Sequence, residues 1–306
     1  MSTYNLILNS NNVLNGYNTF FKYKFIGGNF DIYEGAKICI SQAVIPYSWF
    51  NINSGLYGNN GFTYYFGNTS TPSVFTLSDG NYTITDINNA LQNFMIGQGH
   101  YLYNTATGQN LYYIDLLTNQ TFYTNNFILS NIPTTLPTGF TNPSGLFPFA
   151  NGGYCPQISI TKSGFGNIVG YTVGLYPSVK STLSNYTTFG NAVPNINPVN
   201  AVVARCNLIN NSASSQTDVL DTMSLNGTSF GSNINYVPNY EKWINLTEGS
   251  YDQLILYFQD QNYNIIQAND PNVMISLLLM NGQKKATKLK MIKSINPLFR
   301  EDNTEE

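Results

Sequence analysis

The chain has a single histidine, His100, set between Gly99 and Tyr101. One imidazole is enough for a general base. A hydrolytic site also needs an activated nucleophile, and the chain shows neither a Gly-x-Ser-x-Gly elbow nor a Cys–His context. His100 therefore reads as a structural or surface residue. The carboxylates are scattered. Asp252, Asp260 and Asp270 flank apolar runs, where a short acid usually closes a turn. Asp218 and Asp221 lie near one another, and a polar turn or a helix end accounts for them. Two distant carboxylates would suffice for a glycosidase, but no spacing singles out such a pair. His, Cys, Asp and Glu do not gather with metal-ligand spacing. The expectation is no catalytic residue, no metal and no cofactor. Gly164-Phe165-Gly166-Asn167 lacks the Gly-Lys-Ser/Thr ending of a phosphate loop and the helix that follows one, so it reads as a turn. The aromatics from Phe62 to Phe66, with Tyr112 and Tyr113, could stack on bases or sugars. Packing in a core or an interface is the stronger reading.

Charge gives a second kind of chemistry. Lys284, Lys285, Lys288, Lys290 and Lys293 fall within ten positions, and they are five of the chain's 13 basic residues. Glu301, Asp302, Glu305 and Glu306 follow. One reading is a solvated terminus. The other is a basic arm that docks on a partner or on nucleic acid. The net charge of −3 gives no global field toward nucleic acid or membrane.

The composition is unusual in the same direction. Only 9% of residues are charged, against about 25% in an ordinary domain. Asn, Thr, Ser, Gln and Tyr must therefore supply much of the surface. Such a surface packs against protein neighbours with few charges to desolvate. A genome biased toward Asn and Tyr codons is the competing explanation. Cys39, Cys155 and Cys206 are widely spaced and odd in number, so they make no disulfide framework. Cys39 and Cys206 lie in strand-like runs and read as small core residues. The N-terminal stretch lacks the basic and apolar regions of a signal peptide. No run approaches the ~18 apolar residues of a membrane span. Folding in a reducing compartment is the simplest expectation.

The elements that carry these residues are mostly strands. The stretch from Trp243 to Met280 reads as two strands and a polar turn. Leu254, Leu256 and Phe258 share one face, and Ile255 and Tyr257 take the other. A strand apolar on both faces lies inside a sandwich or beneath another subunit. Thr19–Ile26, Ala36–Ile45, Gly61–Phe66, Val74–Leu77, Gln157–Lys162, Ile168–Tyr171, Val199–Ile209 and Ser232–Val237 are further strand candidates. The spacing of Ile87, Ala90, Leu91, Phe94 and Met95 predicts one helix near 83–96, capped by Thr83 and ended by Gly97 and Gly99. Leu111–Leu117 and Thr121–Leu129 suggest a hairpin. Pro133, Pro137, Pro143 and Pro148 make 132–148 a loop. About eight to ten strands point to an all-β fold, and eight is the jelly-roll number. The expected layout is a single jelly-roll β-sandwich over 1–282, with one inserted helix, long loops and a loop insertion at about 98–156. A basic-then-acidic tail occupies 283–306.

Several ordered runs then acquire a common meaning. Ser41-Gln42-Ala43-Val44-Ile45-Pro46-Tyr47-Ser48-Trp49-Phe50-Asn51-Ile52 is the first. Asp79-Gly80-Asn81-Tyr82-Thr83-Ile84, leading into the helix through Leu91, is the second. Ile168-Val169-Gly170-Tyr171 with Gly174-Leu175-Tyr176-Pro177 is the third. Arg205-Cys206-Asn207-Leu208 with Asp218-Val219-Leu220 is the fourth, and Trp243-Ile244-Asn245-Leu246 the last. In this order, across most of residues 36 to 280, the set resembles penton, or minor capsid, proteins of virophages and polinton-like viruses. The resemblance implies a single jelly roll standing upright in an icosahedral shell. Five copies would close each vertex among trimers of a double-jelly-roll major capsid protein. It implies a non-enzymatic structural protein of the virion, made and assembled in the host cytoplasm. Its partners would be its own pentamer and the major capsid protein, with a weak genome contact through the basic tail. The Pro-rich loop and the tail match no motif of the family. The alternative is a jelly-roll attachment protein that binds carbohydrate or a receptor. A carbohydrate-active enzyme on a β-sandwich is a further rival.

Overall fold

The structure is a computed structural model and describes residues 2–14, 18–211, 216–225 and 227–283. The chain opens with β1 (Thr3–Leu8), β2 (Phe20–Lys24), β3 (Phe30–Ile32) and β4 (Lys37–Pro46). A second group follows: β5 (Gly61–Tyr65), β6 (Ser73–Thr76), α1 (Ile84–Gln98), β7 (Tyr101–Asn104), β8 (Gln109–Tyr112) and β9 (Ile114–Asn119). It continues with β10 (Thr124–Ser130), β11 (Phe140–Thr141), β12 (Gln157–Ile160), α2 (Ser163–Val169), β13 (Gly174–Tyr176) and β14 (Asn185–Phe189). The last group is β15 (Ala201–Cys206), β16 (Val219–Ser224), β17 (Asn233–Tyr236), β18 (Ile244–Asn245), β19 (Gly249–Tyr251), β20 (Gln253–Gln259) and β21 (Met274–Met280).

The first and last groups build two antiparallel sheets. One runs β1-β21-β4-β17, with the short β18 also on β4, and the other runs β16-β15-β20-β2. Counted along the chain, the eight main strands stand in the orders 1-8-3-6 and 5-4-7-2. This winding of eight strands into two sheets is the jelly roll. Period-2 alternation turns one set of side chains inward. Leu254, Leu256 and Phe258 of β20 and Ile275, Leu277 and Leu279 of β21 are buried in the shared core. Each such side chain contributes about 1.5–3 kcal/mol of burial.

Buried apolar side chains form two clusters. The sandwich cluster draws on residues 8–49 and 199–279, and the second draws on residues 52–171. The chain between β4 and β15 thus has its own core, where α1 lies against β9. Residues 98–156, expected as a loop insertion, hold β7 to β11. The expected hairpin is β9–β10, in register from Thr124–Asn119 to Leu129–Ile114. The Pro-rich stretch keeps only the two-residue β11, which pairs with β7.

Local signals explain α1. Thr83 Oγ1 accepts from Asp86 N at 3.2 Å, and Asp86 Oδ2 accepts from Thr83 N at 2.9 Å. This reciprocal box satisfies two free helix donors. Gly99 takes φ 69° and ends the helix in the left-handed region.

Three local expectations are corrected. Gly164–Asn167, read as a turn, and Ile168-Val169, read as strand, belong to α2. Phe165, Ile168 and Val169 share the buried side of that short helix, a helical spacing that its glycines obscured. The sequence pattern gives little sign of β1, because its side chains are mostly exposed. In place of the polar turn or helix end expected around Asp218 and Asp221 stands β16. It is a strand in which Asp221 is buried.

The sandwich has two unlike ends. β4 runs from Lys37 to Pro46 and then enters the insertion, and β15 returns from it. On β21, Met274 lies opposite Val44, and Met280 lies opposite Lys37. Thr3 pairs with Met280. The start of β1 and the end of β21 therefore lie at the end remote from the insertion. Asn281 pins that end by accepting from Tyr33 N at 3.1 Å and donating to Asp31 O at 2.9 Å. A Cβ on Gly282 would stand 2.0 Å from Glu34 O, so only glycine fits there.

Candidate functional site

His100 is built into the insertion core. Its ring lies parallel to Phe66, with centroids 3.9 Å apart and planes 4° from parallel. Nδ1 is 2.8 Å from Tyr64 Oη. Burial pushes its pKa down from 6.5 to about 4, so the imidazole is neutral at physiological pH. The ring serves as a packed aromatic with one hydrogen bond. Phe62, Tyr64, Phe66 and Tyr113 are buried in the same core, as packing residues rather than stacking platforms. Tyr112 is half-buried, and its hydroxyl accepts from Asn110 Nδ2 at 3.0 Å.

The carboxylates have structural employment. Asp260 accepts from Asn262 N at 2.8 Å and Asn264 N at 2.9 Å. Asp270 accepts from Asn272 N at 2.8 Å. Both close turns, as their sequence position suggests. At Asp252 the backbone carbonyl accepts from Phe25 N at 3.0 Å, at the start of β20. Asp218 and Asp221 lie on neighbouring positions of β16 and its lead-in but serve separate clusters. Asp218 pairs with Arg205 of β15 and accepts from Tyr257 Oη of β20 at 3.0 Å. Burial acts to raise the Asp218 pKa, yet the hydrogen bonds from Arg205 and Tyr257 outweigh it and hold the carboxyl below its usual range. Asp221 accepts from Lys242 Nζ at 2.8 Å and from Tyr236 Oη at 2.5 Å. Among the described residues, no group of three or more His, Cys, Asp and Glu is placed to hold a metal ion. Among them, too, no helix is long and apolar enough to cross a membrane.

The cysteines are buried and free. Burial raises the Cys206 pKa to about 12 and the Cys39 pKa to about 11. Thiols so poorly ionised are inert packing groups.

The outer face of the β16-β15-β20-β2 sheet answers the question raised by β20. Ile255 and Tyr257 are half-buried there. The Tyr257 ring stacks on Phe20 with centroids 5.0 Å apart. The Arg205 guanidinium lies 5.6 Å from the Tyr257 centroid and 5.8 Å from that of Tyr263. Arg205 also donates to Gln259 Oε1 at 2.6 Å and Gln216 Oε1 at 2.8 Å. The face is an ordered aromatic and ionic plate outside the core. The sequence showed its apolar half in Ile255 and Tyr257. The Arg205–Asp218 pairing needed the sheet order to be known. The candidate partner-binding residues Lys284, Lys285, Lys288, Lys290 and Lys293 lie outside the described residues.

No family model matches the chain, and no curated protein matches it. Among solved structures, the chain is similar to the mavirus penton protein, known from a crystal structure. That likeness covers 92% of this chain and 99% of the other at 11% identity, with a TM-score of 0.40. It is also similar to a chain in the cryo-EM structure of the Sputnik virophage, over 92% of this chain and 97% of that one, at 13% identity and a TM-score of 0.37.

Proposed function

We propose that the chain is a structural protein of a virion, a penton capsomer whose five copies close the vertices of an icosahedral capsid. The observation that carries this reading is the polarity of the sandwich. A jelly roll with an insertion at one end and its first and last strands open at the other can stand upright in a shell. The insertion end then faces outward, and the lysine-rich arm that follows β21 faces inward. In this reading residues 1–282 act as one body, with 283–306 as a separate arm. The arm meets the packaged genome weakly or docks on a neighbouring subunit. The plate of Phe20, Tyr257 and Arg205 offers a side surface for a heterologous contact, which closes into a ring when repeated about an axis. The other partner is the major capsid protein of the same virion, assembled in the host cytoplasm. The role is geometric and has no catalytic step. Electron microscopy of the purified full chain, with sedimentation to give the mass, tests it. Five-fold rings are the expected outcome. A monomer at all concentrations that also fails to join shells formed with the major capsid protein would overturn it.

A further inference from the structure

A groove crosses the inserted lobe from its junction with the sandwich to the tip of the β9–β10 hairpin. It consists of three adjoining hollows of about 310, 280 and 580 Å³. Ile84, Thr118 and Ile196 border both the first and the second. Thr124 borders both the second and the third. Volumes of this size suit small-molecule and oligomer ligands.

Two features of the lining define the ligand. The first is neutrality: no lining residue is charged. The whole of residues 50–197 carries only Asp79, Asp86, Asp115, Lys162 and Lys180. Both lysines are engaged, with Asn60 Oδ1 at 2.9 Å and Asn68 Oδ1 at 3.0 Å. A polyanion would find no cations here to replace its counterions. The second feature is an alternation of rings with neutral polar groups. Tyr47, Tyr82 and Phe230 stand at the junction, Tyr123 in the middle, and Phe122 and Phe189 at the far end. Between them lie the hydroxyls and amides of Thr83, Thr85, Thr118, Asn119, Gln120 and Asn197. Asn81 borders the first hollow beside Tyr47.

Tyr47 is buried, but the rings beyond the junction are held outward. Phe122 is 69% exposed, Tyr123 72% and Phe189 52%. Phe122 and Phe189 meet edge to face at 6.1 Å and 84°. Tyr123 has φ 50°, a left-handed conformation that a tyrosine adopts only at a cost.

We propose that this groove binds a neutral linear oligosaccharide. A sugar ring offers a C–H face to an aromatic ring and a rim of hydroxyls to amides and alcohols, and it carries no charge. The alternation of rings with neutral polar groups matches that chemistry at successive positions. A wholly apolar occupant would take water from the Thr85, Thr118, Gln120 and Asn197 groups without replacing its hydrogen bonds. The proposal does not rest on ring formation, so a monomeric protein could still bind the sugar.

The test titrates the full chain with cellohexaose, chitohexaose and mannohexaose by calorimetry, with a galacturonic acid hexamer as the charged control. Saturable binding of at least one neutral hexamer, and none of the acidic one, is the expected result. The Phe122→Ala/Phe189→Ala double variant then weakens binding by about tenfold or more. These rings are exposed, and a thermal melt matching the wild type shows that the variant is folded. Tyr123→Ala serves as an independent second variant with the same expectation. The proposal fails if no neutral hexamer saturates below about 10 mM, if the acidic hexamer binds as well, or if the variants bind like the wild type. It also fails if hydrogen exchange shows a second copy of the chain covering residues 119–123 whenever the protein is assembled.

Discussion

Asn88 Oδ1 accepts a hydrogen bond from the backbone N–H of Leu116 at 2.8 Å. Asn88 is a buried residue of α1, and Leu116 lies in β9, at the edge of the β14-β10-β9 sheet. The helix thus covers that edge and satisfies a backbone donor that no strand reaches. Asn88→Ala leaves the donor buried and unpaired and costs about 1–3 kcal/mol. One turn on, Gln92 Nε2 donates to Asp115 Oδ1 at 2.8 Å in a less buried setting, and Gln92→Ala costs about 0.5–1.5 kcal/mol. Urea midpoints of the two variants check the order. Equal midpoints would mean that water reaches the Leu116 amide.

His100 makes stability depend on pH in a defined window. Its folded pKa of about 4 lies below the ordinary 6.5. Between these values the unfolded chain binds a proton that the folded chain refuses. Stability is therefore full above about pH 6.5 and falls as the pH drops toward 4, by roughly 3 kcal/mol in all. His100→Gln removes this slope. The check is the difference in melting temperature between about pH 7 and pH 5, measured for both proteins. A slope that persists in the variant assigns the loss to other groups.

The Lys242–Asp221 pair should respond unequally to removal of each partner. The Asp221 side chain is 6% exposed and that of Lys242 is 39% exposed. Lys242→Met leaves a buried carboxylate with its Tyr236 and Thr222 donors but no countercharge, and costs about 2–4 kcal/mol. Asp221→Asn frees a lysine that can turn to water, and costs about 1 kcal/mol. Denaturant midpoints of the two variants check this, and a larger loss for Asp221→Asn would reverse the assignment.

Asp221 also shows what the sequence could not reveal. β4, β15, β20 and β21 were legible, because buried strands write apolar runs. The helix was legible from its period and its cap. β16 was hidden, because a buried Asp breaks the pattern unless Lys242 and Tyr236 are known to meet it. β1 was hidden for the opposite reason: only Leu8 of its six residues is fully buried, and backbone pairing to β21 fixes the strand. The groove was invisible, since Tyr47, Tyr123, Phe189 and Phe230 are brought together by topology alone. The separate core between β4 and β15 was equally out of reach. Its strands look like any others until the pairing shows that none joins the sandwich sheets.

The last prediction concerns the arm after β21. Its five lysines act at short range, since salt screens beyond about 8 Å under physiological conditions. They can therefore matter locally on a chain of net charge −3. Leu289 and Met291 alternate with Lys288 and Lys290, so an added edge strand would place lysines on one side and apolar groups on the other. The sandwich itself is closed at Asn281 and Gly282, through the bonds to Tyr33 and Asp31 and the close approach to Glu34. Removing residues 283–306 should therefore leave the melting temperature of the isolated protein within a few degrees of wild type. The same truncation should lower incorporation into shells formed with the major capsid protein. Neutral substitution of Lys284, Lys285, Lys288, Lys290 and Lys293 should produce part of that loss, and added salt should reproduce it. Gly282→Ala gives the contrasting result: it drives a Cβ into Glu34 O and lowers stability by about 1–3 kcal/mol. Shells that form at wild-type yield with the truncated chain would reduce the arm to a solvated terminus. A truncated chain that unfolds would instead place the arm within the sandwich.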